Sequence, residues 1–138
     1  MTSPPPTPTP GERIQHRRYV PYSHAHYAGN LVDGAYSMGL FGDIATEMCI
    51  RTDGDEGLFA GYSVVTFHEA VRAGDVVEIS CHLLRVGTRS RELEFAVHVV
   101  ARGNPTAQRP GASELLRAPL LATTAVGTVV VPGHSGPT

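Results

Sequence analysis

Asp43 and Glu47 are the only ionisable carboxylates between Ala35 and Ile50, a run in which nearly every other side chain is apolar or small. At the helical spacing i and i+4 the two acids share one face and reach the same region of space. An acid kept among apolar neighbours must be paired, protonated or in use, because an uncompensated buried carboxylate is costly. Two of them close together push one pKa upward, which suits proton transfer near neutral pH. The sequence therefore predicts a buried two-acid helix as the seat of the chemistry. The competing reading is a structural pair, hydrogen-bonded to backbone or to a second subunit.

A polar entry loop, His24-Ala25-His26-Tyr27-Ala28-Gly29-Asn30-Leu31-Val32-Asp33-Gly34, leads into this helix. His26, beside Tyr27, is a general acid or a ligand contact on one reading and a plain loop histidine on the other. His24-x-His26 lacks a matching set of cysteines or carboxylates, so it is a weak zinc signal and no metal is expected. Asp33 either caps the helix or shapes a donor site there. Asn30 either bonds a ligand or sets a turn. The amides of Gly34 and Ala35 open the helix without intrahelical partners and are free to face a ligand oxygen. Cys49 and Cys81 read as small buried hydrophobes, and neither stands in a histidine pattern that would make a persuasive nucleophile.

The elements that must position these groups follow from pattern. Residues 33–50 read as a helix with Asp33 as cap and Arg51 in the last turn. Phe41, Ile44, Ala45 and Met48 form one apolar face, with Tyr36, Asp43, Glu47 and Ile50 on the other side. Gly39 and Gly42 weaken a helix interior, so close packing of a surrounding sheet is expected to compensate. Strands are predicted at residues 13–22, 58–71, 75–86, 90–101 and 119–131. Leu93, Phe95, Val97 and Val99 alternate with Glu92, Glu94, Ala96 and His98, and Val77, Ile79, Cys81 and Leu83 with Glu78, Ser80 and His82. His68, His82 and His98 fall in these strands as solvent-facing positions. Residues 102–117 read as a loop.

The chain of 138 residues, 41% hydrophobic and 17% charged, fits one domain at residues 13–132. A proline-rich disordered lead, 1–12, and a flexible tail, 133–138, flank it. The net charge of -2 offers no basic field, so neither nucleic acid nor an anionic membrane is an expected partner. No apolar run approaches the roughly 20 residues a membrane helix needs. A cytoplasmic location is the expectation.

The order strand, helix, then four strands, with Glu69-Ala70-Val71-Arg72-Ala73-Gly74-Asp75-Val76-Val77-Glu78 and Val86-Gly87-Thr88-Arg89-Ser90, resembles the hotdog fold of acyl-CoA thioesterases and dehydratases. That implies an α+β domain in which an antiparallel sheet of about five strands wraps one long central helix. The blocks His26-Tyr27-Ala28-Gly29-Asn30-Leu31-Val32-Asp33-Gly34-Ala35, Leu40-Phe41-Gly42-Asp43-Ile44-Ala45-Thr46-Glu47 and Asp53-Gly54-Asp55-Glu56-Gly57-Leu58-Phe59 are similar to the 3-aminobutyryl-CoA ammonia-lyases and their β-alanyl-CoA relatives. The similarity spans residues 23–100. It departs at Ala60, where those enzymes carry an arginine.

The resemblance implies reversible loss of ammonia from a β-aminoacyl-CoA to give an enoyl-CoA. Asp43 and Glu47 would then divide proton transfer at carbon and binding of the ammonium, with Asp33 and His26 as further catalytic candidates. Asn30 and the Gly34 and Ala35 amides would face the thioester oxygen, and Tyr27 and Phe59 would contact substrate. Arg89, Ser90 and Arg91 either meet the coenzyme A phosphates or form a solvated basic turn. No cofactor is implied beyond the coenzyme A of the substrate. Self-association as a homodimer through the sheet is implied, with a hexamer as the larger form, and active sites between subunits. Two alternatives stand beside the lyase: a thioesterase acting on acyl-CoA or acyl-carrier substrates, and a non-catalytic module that binds acyl thioesters.

Overall fold

The computed structural model describes residues 6–133. The start of the expected disordered lead, residues 1–5, and the end of the expected tail, residues 134–138, lie outside the described residues. Strand β1 (Arg13–Tyr19) precedes the helix α1 (Gly34–Asp53), and four strands follow: β2 (Leu58–Phe67), β3 (Val76–Val86), β4 (Ser90–Gly103) and β5 (Ser113–Val130). The strands form one antiparallel sheet in the order β1-β3-β4-β5-β2. No helix among the described residues is long and apolar enough to cross a membrane.

Period-two alternation explains the sheet. The register Ile79↔Val97, Cys81↔Phe95 and Leu83↔Leu93 lines up the apolar faces of β3 and β4, and all six side chains are buried. Phe41, Ile44, Ala45 and Met48 of α1 are buried against them, with the Phe41 and Phe95 rings stacked at 4.9 Å. Each of the larger side chains contributes on the order of 1.5–3 kcal/mol by leaving water. Cys49 and Cys81 are free thiols within this core, and burial pushes them up to about 11 and about 12.

Arg91 does not reach out for phosphates. Its guanidinium bonds Asp53 at 2.8–3.2 Å through Nε and Nη2 and gives Nη1 to the carbonyls of Gly87 and Ser90. The pair is almost wholly enclosed and pins the C-terminal turn of α1 to β4. The adjoining Arg89 and Ser90 are exposed.

Several boundaries differ from expectation. The helix runs on to Asp53 and stops at Gly54, whose φ of 68° closes the turn by an N–H bond to the Ile50 carbonyl. β2 ends at Phe67. The expected loop 102–117 shrinks to residues 104–112, since Ala101, Arg102 and Gly103 pair with Leu115, Glu114 and Ser113. Leu116 to Pro119 form a bulge between the pairs Val99↔Leu120 and Ala101↔Leu115, a place where a proline costs no ladder bond. Gly11 and Glu12, assigned to the disordered lead, both bond the Leu83 backbone. Gly39 and Gly42 admit no close neighbour: a methyl group built on either meets nothing within 4 Å. They lie on the helix side away from the sheet.

Candidate active site

The two helix acids are not buried. Asp43 is exposed, beside a small cavity of about 120 Å³ lined also by His16, Arg17, Arg18, Leu40 and Ile79. Glu47 is half-exposed and held by two partners, His16 Nε2 at 2.9 Å and the Arg51 guanidinium through Nε at 2.8 Å. The hydrogen bond to His16, then that to Arg51, keeps its carboxyl below the ordinary value of 4.5. Glu47 moves opposite to the upward shift expected of a buried pair, because its side of α1 meets His16 of the edge strand β1 and Arg51, whose bonds favour the charged carboxylate.

A cavity of about 470 Å³ opens instead at the N-terminus of α1. The chain folds into it through the turn Gly29-Asn30, whose φ values of 77° and 62° suit a tight reversal. His26 and Tyr27 N–H groups both donate to the Leu31 carbonyl, Val32 N–H to Val71, and Ala73 N–H to Asn30. Asn30 thus sets the turn with its backbone. These bonds clamp residues 26–33 against the segment after β2 and deliver Asp33 and Gly34 to the cavity wall.

Asp33 occupies the N-cap position with extended backbone, yet its side chain makes no capping bond. Its carboxylate is a third exposed and lies 3.9 Å from His26 Nδ1. Gly34 has a steric reason to be glycine, since a Cβ there would fall 2.6 Å from Phe67 Cζ. The Phe67 ring therefore rests on the first helical turn, where amide N–H groups lack intrahelical partners. Ala35 is exposed beside it.

The opposite wall comes from residues just past β2. His68 and Glu69 N–H groups both donate to the Ala122 carbonyl, and His68 Nε2 bonds Thr124 Oγ1 at 2.8 Å. Arg102 fixes the next stretch, bonding the fully enclosed Asp75 carboxylate through Nε and Nη2 and the Ala70 carbonyl through Nη2 at 3.0 Å. Asp75 in turn accepts from the Arg72 N–H. The floor is a buried hydroxyl pair, Ser37 Oγ and Thr123 Oγ1, 3.2 Å apart.

Of the residues expected from sequence, the cavity lining includes Tyr27, Asp33 and Gly34. His26, Asn30, Ala35, Asp43, Glu47, Phe59, Arg89, Ser90 and Arg91 are not part of it. Phe59 stacks instead on Tyr62 and Phe95 over the sheet. His24, from the same entry loop, bonds the Tyr36 hydroxyl at 2.9 Å. Ser37, Phe67, Glu69 and Thr123 escaped the sequence reading, and His68, expected as a solvent-facing strand position, lies just past the end of β2 in the cavity lining. The strand alternation fails after Thr66, and that failure marks where β2 stops and the wall starts.

The lining is chemically specific. It carries two carboxylates, Asp33 and Glu69, two aromatic rings, Tyr27 and Phe67, the imidazole of His68, and no arginine. Carboxylates with ring faces attract a cation; helix-start amides attract an oxygen bearing negative charge.

Comparison with known proteins gives concordant findings. The model of the thioesterase superfamily matches residues 29–105. The chain is 44% identical over 108 residues to 3-aminobutyryl-CoA ammonia lyase of Acetoanaerobium sticklandii, covering 78% of this chain and 85% of that enzyme. The solved β-alanyl-CoA:ammonia lyase of Clostridium propionicum superposes with a TM-score of 0.83 at 31% identity, covering 89% of this chain and 87% of the other. A hexameric hotdog thioesterase of Campylobacter jejuni gives 0.68 at 19% identity over 88% and 84% of the two chains, a likeness of fold.

Proposed function

Because the chain belongs to the thioesterase superfamily of hotdog folds, and within it to the family of coenzyme A thioester ammonia-lyases, we propose that it is a carbon–nitrogen lyase that reversibly removes ammonia from a β-aminoacyl-CoA. The observation that carries this reading is the cavity at the helix start, where two carboxylates and two aromatic rings accompany unpaired helix amides.

The chemistry needs three things. A base must take the α-proton, donors must stabilise the enolate oxygen, and the leaving amine must stay protonated until its bond to carbon breaks. The amides of Gly34 and Ala35 suit the thioester oxygen. Asp33 and Glu69 divide the other tasks: one holds the ammonium while the other moves the proton. Asp33 is the better base, since its carboxylate is spent on no capping bond and His26 can relay the proton outward. Glu47, whose carboxyl is held below its ordinary value by the bonds to His16 and Arg51, is a poor acid.

We further propose a homodimer. β2 is an edge strand bearing the exposed Leu58, Val64 and Phe67, and an uncovered apolar edge favours pairing. The open Gly39 and Gly42 leave room for another chain against α1, and such a cover would bring Asp43 into an enclosed setting.

The test is addition of ammonium to crotonyl-CoA, followed as loss of enoyl absorbance. Turnover supports the lyase. Release of free thiol without loss of the enoyl group would favour the thioesterase, and neither signal over a series of short enoyl-CoAs would leave the binding module.

A further inference from the structure

Ser37 and Thr123 are 3% and 2% exposed, meet at 3.2 Å and both line the cavity. Ser37 lies one helical turn beyond Asp33, on the same side of α1. Thr123 comes from β5, opposite Val97. Two hydroxyls carry two protons, and the bond between them uses one. Neither side chain bonds any other group among the described residues. A spare O–H and spare lone pairs are thus available to whatever fills the cavity, and leaving a buried hydroxyl proton unmatched is unfavourable.

Resting on the ammonia-lyase reading, we propose that Ser37 and Thr123 form the subsite for the amine that leaves. A β-ammonium group only donates hydrogen bonds. When the bond from the β-carbon to nitrogen breaks, its electron pair stays on nitrogen. The electrons of the α-C–H bond become the new double bond, and the α-proton passes to the carboxylate base. Ammonia then carries a lone pair that needs a donor, besides N–H groups that need acceptors. The carboxylate that held the ammonium stays ionised and can only accept, and the other has spent its lone pair on the α-proton at the neighbouring carbon. A hydroxyl does both, and two hydroxyls sharing one bond can reverse which of them donates. In the addition direction the pair holds ammonia by its N–H groups and releases the lone pair toward the β-carbon.

The experiment measures ammonia addition to crotonyl-CoA by the full chain and by Ser37→Ala, Thr123→Val and the double variant, varying each substrate in turn. The expected result is a rise of about tenfold in the KM for ammonium in each single variant, with the KM for crotonyl-CoA within about twofold. Thr123→Ser and Ser37→Thr, which keep a hydroxyl, should hold the ammonium KM near the wild-type value. An unchanged ammonium KM in active variants overturns the subsite alone, as does a parallel rise in both KM values with a lowered Tm. No addition by the wild-type chain overturns the lyase reading, and the subsite with it.

Discussion

The carboxylate of Asp33 stands at the N-cap of α1 without bonding the helix and 3.9 Å from Nδ1 of His26. A residue placed for one duty is thereby left free for another. Replacing Asp33 by Asn keeps shape and removes the base, so kcat should fall by about 10²–10⁴-fold. Since no capping bond is lost, the Tm should stay near that of the wild type. A large drop in Tm with modest loss of kcat would assign Asp33 to the fold instead.

Glu47 offers the contrast. His16 and Arg51 hold its carboxyl below the ordinary 4.5, so its contribution to stability is present above that value and fades as pH falls through the lowered one. The Tm difference between wild type and Glu47→Gln should accordingly be full at neutral pH and shrink as pH falls below about 4.5. Activity of this variant at pH 7 should remain within a few-fold of wild type. Loss on the scale of the Asp33 variant would restore Glu47 to the reacting centre.

The alternation of Leu93, Phe95, Val97 and Val99, and the apolar stripe from Phe41 to Met48, made the helix-and-sheet frame legible. The site was legible where it is contiguous: Tyr27, Asp33 and Gly34 arrive on one loop. Glu69 and Thr123 lie far along the chain from Asp33, and only the pairing of β2 with β5 and the Arg102–Asp75 bond carry them to it. Such long-range assembly has no local signature. The burial of Asp43 and Glu47 was misjudged because nearly every other side chain of the helix is apolar or small; its outer side, with Gly39, Gly42 and Ile50, is open in this single chain.

Arg91 and Asp53 should behave as a structural pair. Asp53→Asn leaves a guanidinium enclosed without its counter-ion, and should lower unfolding free energy by about 3–5 kcal/mol, measured by urea denaturation. Arg89→Ala removes an exposed charge and should leave stability within about 0.5 kcal/mol. If coenzyme A nevertheless binds through this turn, Arg89→Ala will raise the KM for the thioester without moving the urea midpoint.

Gly34→Ala tests the contact with Phe67. The added methyl group would fall 2.6 Å from Cζ, so the ring must leave the helix start and enter the cavity. Lyase activity should drop by about tenfold or more, as misplacement of cavity walls does. Adding Phe67→Leu makes room and should recover most of it. Failure of the second change to help would mean that the ring does not shape the cavity.

The thiols should be inert. With Cys49 and Cys81 buried and pushed up to about 11 and about 12, an alkylating reagent at pH 8 should label neither in the native protein and both after denaturation. Rapid labelling of either in the folded state would show that the core opens locally.

Arg102 grasps both the Asp75 carboxylate and the Ala70 carbonyl from the last turn of sheet before the β4–β5 tip. That single guanidinium works as a clasp between the hairpin and the cavity wall. Beyond it, Asn104 and Ala112 are joined by one backbone bond and Thr106 to Arg109 close the tip. The tip is therefore a place where a peptide tag or fluorophore can be grafted without reshaping the wall, so long as the clasp is left intact.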